Sequence, residues 1–197
     1  MFNKKTIRDI DLDGKTVLVR VDYNVPLEHG LITDDYRIKK SLPTIQYLLD
    51  KHCKIVLCSH LGRPTGPNDK SCSLATVTKR LGELLDKKID FVTDCVSDEA
   101  KAKITELQPR QILLLENLRF YEEEEKNDEE FAKRLAEGAE VFVQDGFGVV
   151  HRAHASTDAV THYLPSVAGL LLETEVSSIN SAMENPARPL MAIIGGA

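Results

Sequence analysis

The sequence is short of most features that announce a function outright. Its four cysteines, Cys53, Cys58, Cys72 and Cys95, include no CxxC pair. That spacing argues against a zinc or thiol-redox site and for buried, reduced thiols of a cytosolic protein. The opening MFNKKTIRDIDLDG has no apolar signal core, and no stretch approaches eighteen apolar residues. The expectation is therefore a cytoplasmic protein without a membrane span. A basic excess is also missing. The formal net charge is -6, which argues against a general nucleic-acid binder while leaving room for a local basic cluster. Three familiar motifs are lacking: no GxGxxG follows the first strand, and there is no GxxxxGK[ST] and no GxSxG. A dinucleotide fingerprint, a P-loop and a hydrolase elbow are excluded with them.

What is present is an alternation of short apolar runs with helical patterns. The runs at 15–21, 54–59, 89–92, 111–117, 140–145 and 189–194 read as strands. Between them, Ile38, Leu42, Ile45, Leu48 and Leu49 recur at helical spacing, as do Leu74, Val77, Leu81, Leu84 and Leu85. Ser73 and Asn127 are expected as helix caps, with Pro43 in a first helical turn and Gly138 ending a helix. Residues 164–186 read as helical throughout. The acidic run Glu122 to Glu125 reads as a solvated face. Unpatterned apolar strands in strict β-α order predict a Rossmann-like three-layer α/β/α fold. Its sheet should be mainly parallel, with about six strands.

Ligands of such sheets bind outside the carboxyl ends of the strands, so the residues after each run matter most. They are Asp22 and Asn24, then His60 and Arg63, then Asn117 and Arg119, then Asp145, His151, Arg152 and His154; Arg37 opens the first helix. A lone arginine there is ordinarily an ion-pair partner, and Asp22 could pair with Arg20. A lone histidine more often satisfies a structural bond. His151 and His154 lack a third partner at metal-ligand spacing, so no metal site is expected. Arginines repeated at one rim of an acidic protein nonetheless suit a small, doubly anionic ligand, because each planar fork grips oxygens in pairs.

RVDYNVP (20–26), SHLGRP (59–64), ENLRF (116–120), DGFGVVHRAHAS (145–156) and AIIGGA (192–197) resemble, in order, signature segments of the phosphoglycerate kinase family. One segment would be weak; five in register, from first strand to last residue, are specific. The chain departs from the usual Asn-Asp-Ala-Phe-Gly wording at Gln144 and Gly146, which alters none of the ligands carried over. The resemblance implies a glycolytic enzyme of two lobes, a monomer, transferring phosphoryl groups between 1,3-bisphosphoglycerate and ADP. It implies a 3-phosphoglycerate-binding lobe over 1–170, an inter-lobe helix over 171–186, and the start of a nucleotide-binding lobe over 187–197. Mg-ATP or Mg-ADP would then belong to a C-terminal lobe, the partner of this one, and no cofactor is expected on the lobe in hand. Asp22 and Asn24 resemble the groups that meet the substrate's hydroxyl and carboxyl end. Arg37 resembles the arginine aimed at the transferring phosphoryl group. His60, Arg63, Arg119 and Arg152 resemble the basic patch on the 3-phosphate, with His151 nearby and structural. Because AIIGGA ends where a catalytic lysine would follow, the expectation is a lobe inactive by itself. The alternative is a non-catalytic phospho-acid binding module.

Overall fold

The computed structural model describes every residue except 1, 68, 185, 187, 192 and 194–197. In chain order the elements are β1 (Thr16–Arg20), a hairpin of β2 (Leu27–Glu28) and β3 (Leu31–Ile32), α1 (Tyr36–Asp50), β4 (Lys54–Cys58) and α2 (Ala75–Leu85). Next come β5 (Asp90–Val92), α3 (Asp98–Glu106), β6 (Ile112–Leu115), α4 (Glu122–Glu125), α5 (Glu129–Ala136), β7 (Val141–Gln144), β8 (Ser166–Ala168) and α6 (Leu170–Glu184).

Alternate residues of each strand enter different cores, as the two-residue period of a strand requires. Val17, Val19, Ile55, Leu57, Leu114 and Val143 bury against Ile38, Ile45 and Leu48 of α1 and Val77 and Leu81 of α2. Leu18, Val56, Leu113 and Phe142 bury against Ala100 and Ile104 of α3 and Phe131 and Leu135 of α5. Both faces are covered, which is why the strands read as unbroken apolar runs. The sheet runs β5-β6-β4-β1-β7-β8 with every pairing parallel. From β1 the chain crosses toward β4, and from β7 it crosses the other way, toward β8. The gap beyond β1 and β7 is thus a topological switch point.

The sheet has the expected six strands, but the sixth differs. Ser166–Ala168, read from sequence as helical, is β8 and pairs with β7; Pro165 and Gly169 bracket it too tightly for a helix. The strand expected at 189–194 and the glycine pair at 195–196 fall largely outside the described residues, since 192 and 194–197 are among those omitted. Three local expectations also change. Pro43 lies inside α1 rather than in its first turn, because the helix already starts at Tyr36, whose amide donates to Asp34 Oδ1 at 2.8 Å. Asp128, not Asn127, caps α5 by accepting from Phe131 N, while Asn127 takes a left-handed φ of 55°. Ser73 is not the cap of α2. Leu74 holds that position, and the Glu116 carboxylate takes both the Leu74 amide and the Ser73 hydroxyl at 2.8 Å.

Leu57 sits mid-sheet with no exposed surface, so Leu57→Ala should lower the unfolding free energy by about 2–5 kcal/mol. Leu31→Ala, in the hairpin at 69% exposure, should stay within about 0.5 kcal/mol. Urea titration of the two variants separates these outcomes.

Candidate functional site

The strand ends carry their polar residues into three loops that lock to one another. Asn117, fully buried after β6, is the main tie. Its Nδ2 donates to the carbonyls of Leu61 (2.7 Å) and Cys72 (2.9 Å). Its Oδ1 accepts from the amides of Leu61 (3.2 Å) and Arg119 (3.0 Å). The amide is saturated by protein, so Asn117 organises the rim and has no bond left for a ligand. Asn24 Oδ1 accepts from Gly62 N at 2.8 Å, joining the loop after β1 to the loop after β4.

Asp22 pairs with Arg37 through Oδ2 and Nη1, not with Arg20. The pair lines a cavity of about 310 Å³ with Tyr36, Lys40, Phe147 and Leu171, at the switch point. Gly148 passes so close that a Cβ there would lie 2.5 Å from Asp22 Oδ2, so a larger residue would have to displace the Asp22 carboxylate. Arg119 donates to the Gly62 carbonyl at 2.7 Å and pairs with Glu125 at 3.0 Å. Burial, reinforced by Arg152 and Arg20 against the pull of Glu125, holds it below the ordinary arginine value. Arg63 and Arg152 are exposed and have no ion-pair partner among the described residues. Two of the four predicted arginines thus sit in ion pairs, as a ligand-free reading expects, and two do not. His151 is exposed. Among the described residues no group of three or more His, Cys, Asp or Glu converges as a metal site.

His60 is only 4% exposed. Burial and then Arg20, Arg119, Arg152 and Arg37 push its imidazolium form down to a pKa of about 2. It is neutral at any physiological pH. Of these four guanidiniums, Arg119 and Arg152 belong to the basic end of the site, Arg20 is buried and Arg37 stands at the cavity. Beneath them lies a group that the sequence pattern places in solvent. Glu124 is fully buried, and its carboxylate accepts from Ser156 N (2.9 Å) and Ser156 Oγ (2.6 Å). His154 Nδ1 stands 3.7 Å away and Arg20 Nη2 3.9 Å away. Burial raises the Glu124 pKa, but His154, Arg20 and Ser156 outweigh it and hold the carboxyl below its usual range. The cause is physical: one helical turn of four glutamates must turn one side inward, and a buried arginine awaits it. The other missed residue, Arg20, has 1% exposure and carries no signal except an arginine at the end of an apolar strand.

At the opposite wall Asp145 reaches α6. Its Oδ1 accepts from the amides of Leu171 (3.0 Å) and Leu172 (3.4 Å), and Thr44 Oγ1 accepts from Leu170 N at 3.0 Å. The first turn of α6 is therefore held by side chains of β7's loop and α1. Burial pushes the Asp145 carboxyl up to about 7, against the lowering effect of these hydrogen bonds.

Together these features make a doubly wound α/β domain with a basic rim and a carboxylate–arginine pair at its switch point. Comparisons with known proteins agree. The chain matches the phosphoglycerate kinase family over residues 7–197 and belongs to that family. It is 54% identical to the phosphoglycerate kinase of Dictyoglomus turgidum, over 98% of this chain and 50% of that protein. For the phosphoglycerate kinase of Pelotomaculum thermopropionicum the figures are 50%, 98% and 49%. The solved phosphoglycerate kinase of Coxiella burnetii superposes with a TM-score of 0.86 at 39% identity, covering 98% of this chain and 48% of that one. That of Pyrococcus horikoshii OT3 gives 0.86 at 32%, covering 94% and 47%. The chain spans about half the length of the curated relatives it matches. No helix among the described residues is long and apolar enough to cross a membrane.

Asp145 gives a pH test. Its folded pKa of about 7 lies above the ordinary aspartate value of 3.8, so its contribution to stability is complete below pH 3.8 and is lost as pH rises toward 7. Asp145→Asn cannot titrate. Between pH 4 and 7.5 its unfolding free energy should therefore gain on the wild type by up to about 4 kcal/mol, because each pH unit between the two values is worth about 1.36 kcal/mol. Urea unfolding at pH 4 and at pH 7.5 measures the difference.

Proposed function

We propose that this chain is the substrate-holding half of a phosphoglycerate kinase. The observation that carries the proposal is the division of one site into two ends. Arg119, Arg152 and His60 form a basic end, and Arg37, tied to Asp22, stands at the cavity beside α6. Two such ends suit a molecule with a phosphate at one end and a carboxyl or acyl phosphate at the other. Arg63, Arg119 and Arg152 would hold the 3-phosphate of 3-phosphoglycerate or 1,3-bisphosphoglycerate, with His60 as a further donor. Asp22 and Asn24 would meet the hydroxyl and carboxyl end. Residues 1–170 make up this lobe, 171–186 are the helix joining it to a second lobe, and 187–197 open that second lobe.

In the reaction the bond from the C1 carboxylate oxygen to phosphorus breaks, and a bond from a β-phosphate oxygen of ADP to phosphorus forms. The acceptor oxygen is already an anion, so no general base is needed; positioning and charge neutralisation supply the rate. Arg37 supplies charge on this lobe. Its guanidinium is half-exposed and can exchange Asp22 for the incoming phosphoryl oxygens. Mg-ATP or Mg-ADP fits the second lobe. A monomeric, cytoplasmic enzyme is the setting that accords with this reading. A binding module without catalysis shares the rim but accords less well with a family match that runs over residues 7–197.

Calorimetric titration of this chain with 3-phosphoglycerate should give weak binding, with Kd on the order of 1 mM. No heat beyond dilution at that concentration would count against a preformed site, and robust ATP formation by this chain in a coupled assay would count against the division of labour. In a two-lobe enzyme built on this sequence, Arg37→Ala should cut kcat by about 10²–10³-fold with a smaller change in KM. Arg119→Ala should weaken 3-phosphoglycerate binding by about 10–100-fold, the loss of a charged hydrogen-bond partner. The reverse assignment of the two effects would exchange their roles.

A further inference from the structure

Arginine has N–H donors and no acceptor. The 3.2 Å contact between Arg20 Nη2 and His60 Nδ1 therefore admits one arrangement: Nδ1 carries the lone pair and the ring proton sits on Nε2. The guanidinium is held in place. Its Nε donates to Ser156 Oγ at 2.8 Å and its Nη1 to the Val21 carbonyl at 2.5 Å. Ser156 is fixed in turn by its two bonds to Glu124, and Arg20, His60, Glu124 and Ser156 are all buried.

We propose that Glu124 and Arg20 are positioning residues, which hold His60 as a neutral imidazole and present its Nε2–H as a hydrogen-bond donor to the anion at the rim. This rests on the reading of the rim as an anion site. The charged groups facing the ring are Arg20 from β1, Arg119 from the loop after β6, Arg152 from the loop after β7 and Arg37 from α1. Among nearby carboxylates, Glu124 lies behind Arg20 and Asp22 is engaged by Arg37. His154 Nδ1 lies 3.7 Å from Glu124 Oε1. A cationic His60 would add one more like charge to four guanidiniums. A neutral one adds a directional bond without that repulsion.

The test is a long-range ¹H–¹⁵N spectrum of this chain with ¹⁵N-labelled histidine and arginine, followed from about pH 5 to 8, the range where histidine ordinarily titrates. His60 is assigned by the signal lost in His60→Gln. The expected result is the Nε2–H tautomer throughout, with no titration. An Nδ1–H tautomer, or protonation within that range, overturns the proposal. Arg20→Met strands a buried carboxylate, so Arg20→Met/Glu124→Leu serves as the folding-safe variant. In it the Nδ1–H tautomer of His60 should become populated, and a ring that stays Nε2–H as in the wild type removes Arg20 and Glu124 from the positioning role. Sulfate, doubly charged over the whole range, is the probe anion. It should shift His60 Nε2 together with Arg119 and Arg152 Nε. Arginine shifts without His60 would overturn the donor role and leave the anion site standing. No shift at any of them would bring down the rim reading and this proposal with it.

Discussion

A guanidinium sealed under a basic surface is the constraint on which this structure turns. Arg20 ends the central strand β1 with 1% exposure, and a buried charge of that kind survives only with its donors occupied and a counter-charge near. Glu124, Ser156 and His60 meet those demands from three separate segments, joined by the carbonyl of the neighbouring Val21. Each segment carries a rim residue: Glu124 lies beside Glu125 and Arg119, Ser156 ends the loop of Arg152, and Val21 precedes Asp22. Satisfying one buried arginine therefore sets the places of the others. The rim is a consequence of how the core disposes of a charge.

Most of the fold was legible because both faces of a parallel sheet are buried. Continuous apolar runs such as Ile112–Leu115 have no other good explanation, and helices α1 and α2 announced themselves by spacing. What escaped was short or tertiary. The strand Ser166–Ala168 is three residues long, with too little pattern to distinguish it from the apolar start of α6. The hairpin at 27–32 turns on His29 and Gly30, both at positive φ, where His29 gives no turn signal. The start of α2 is fixed by Glu116, 42 residues away from Leu74, a link that no local reading can see.

The candidate site divides in the same way. Residues that follow the strand ends or open α1 (Asp22, Arg37, His60, Arg119, Arg152) could be picked out because position alone marks them. Residues that support them could not. Glu124 is one glutamate among four, and which of them turns inward is decided by Arg20 and Ser156. Asn117 was visible as a candidate, but its role differs from the one its position suggests, since both ends of its amide are taken by backbone. Asp145 behaves likewise. It sits among the rim motifs, yet its oxygen is committed to the first turn of α6, so it joins the site to a helix.

The saturated amide of Asn117 has a thermodynamic side. Three bonds from one side chain fasten the loop after β4 to the loop after β6, and a fourth holds the Arg119 amide within the latter. The loops bearing His60, Arg63 and Arg119 are thereby stapled to one another. Little backbone freedom remains to be lost on association, which leaves the ordering penalty to the arginine side chains and to the ligand.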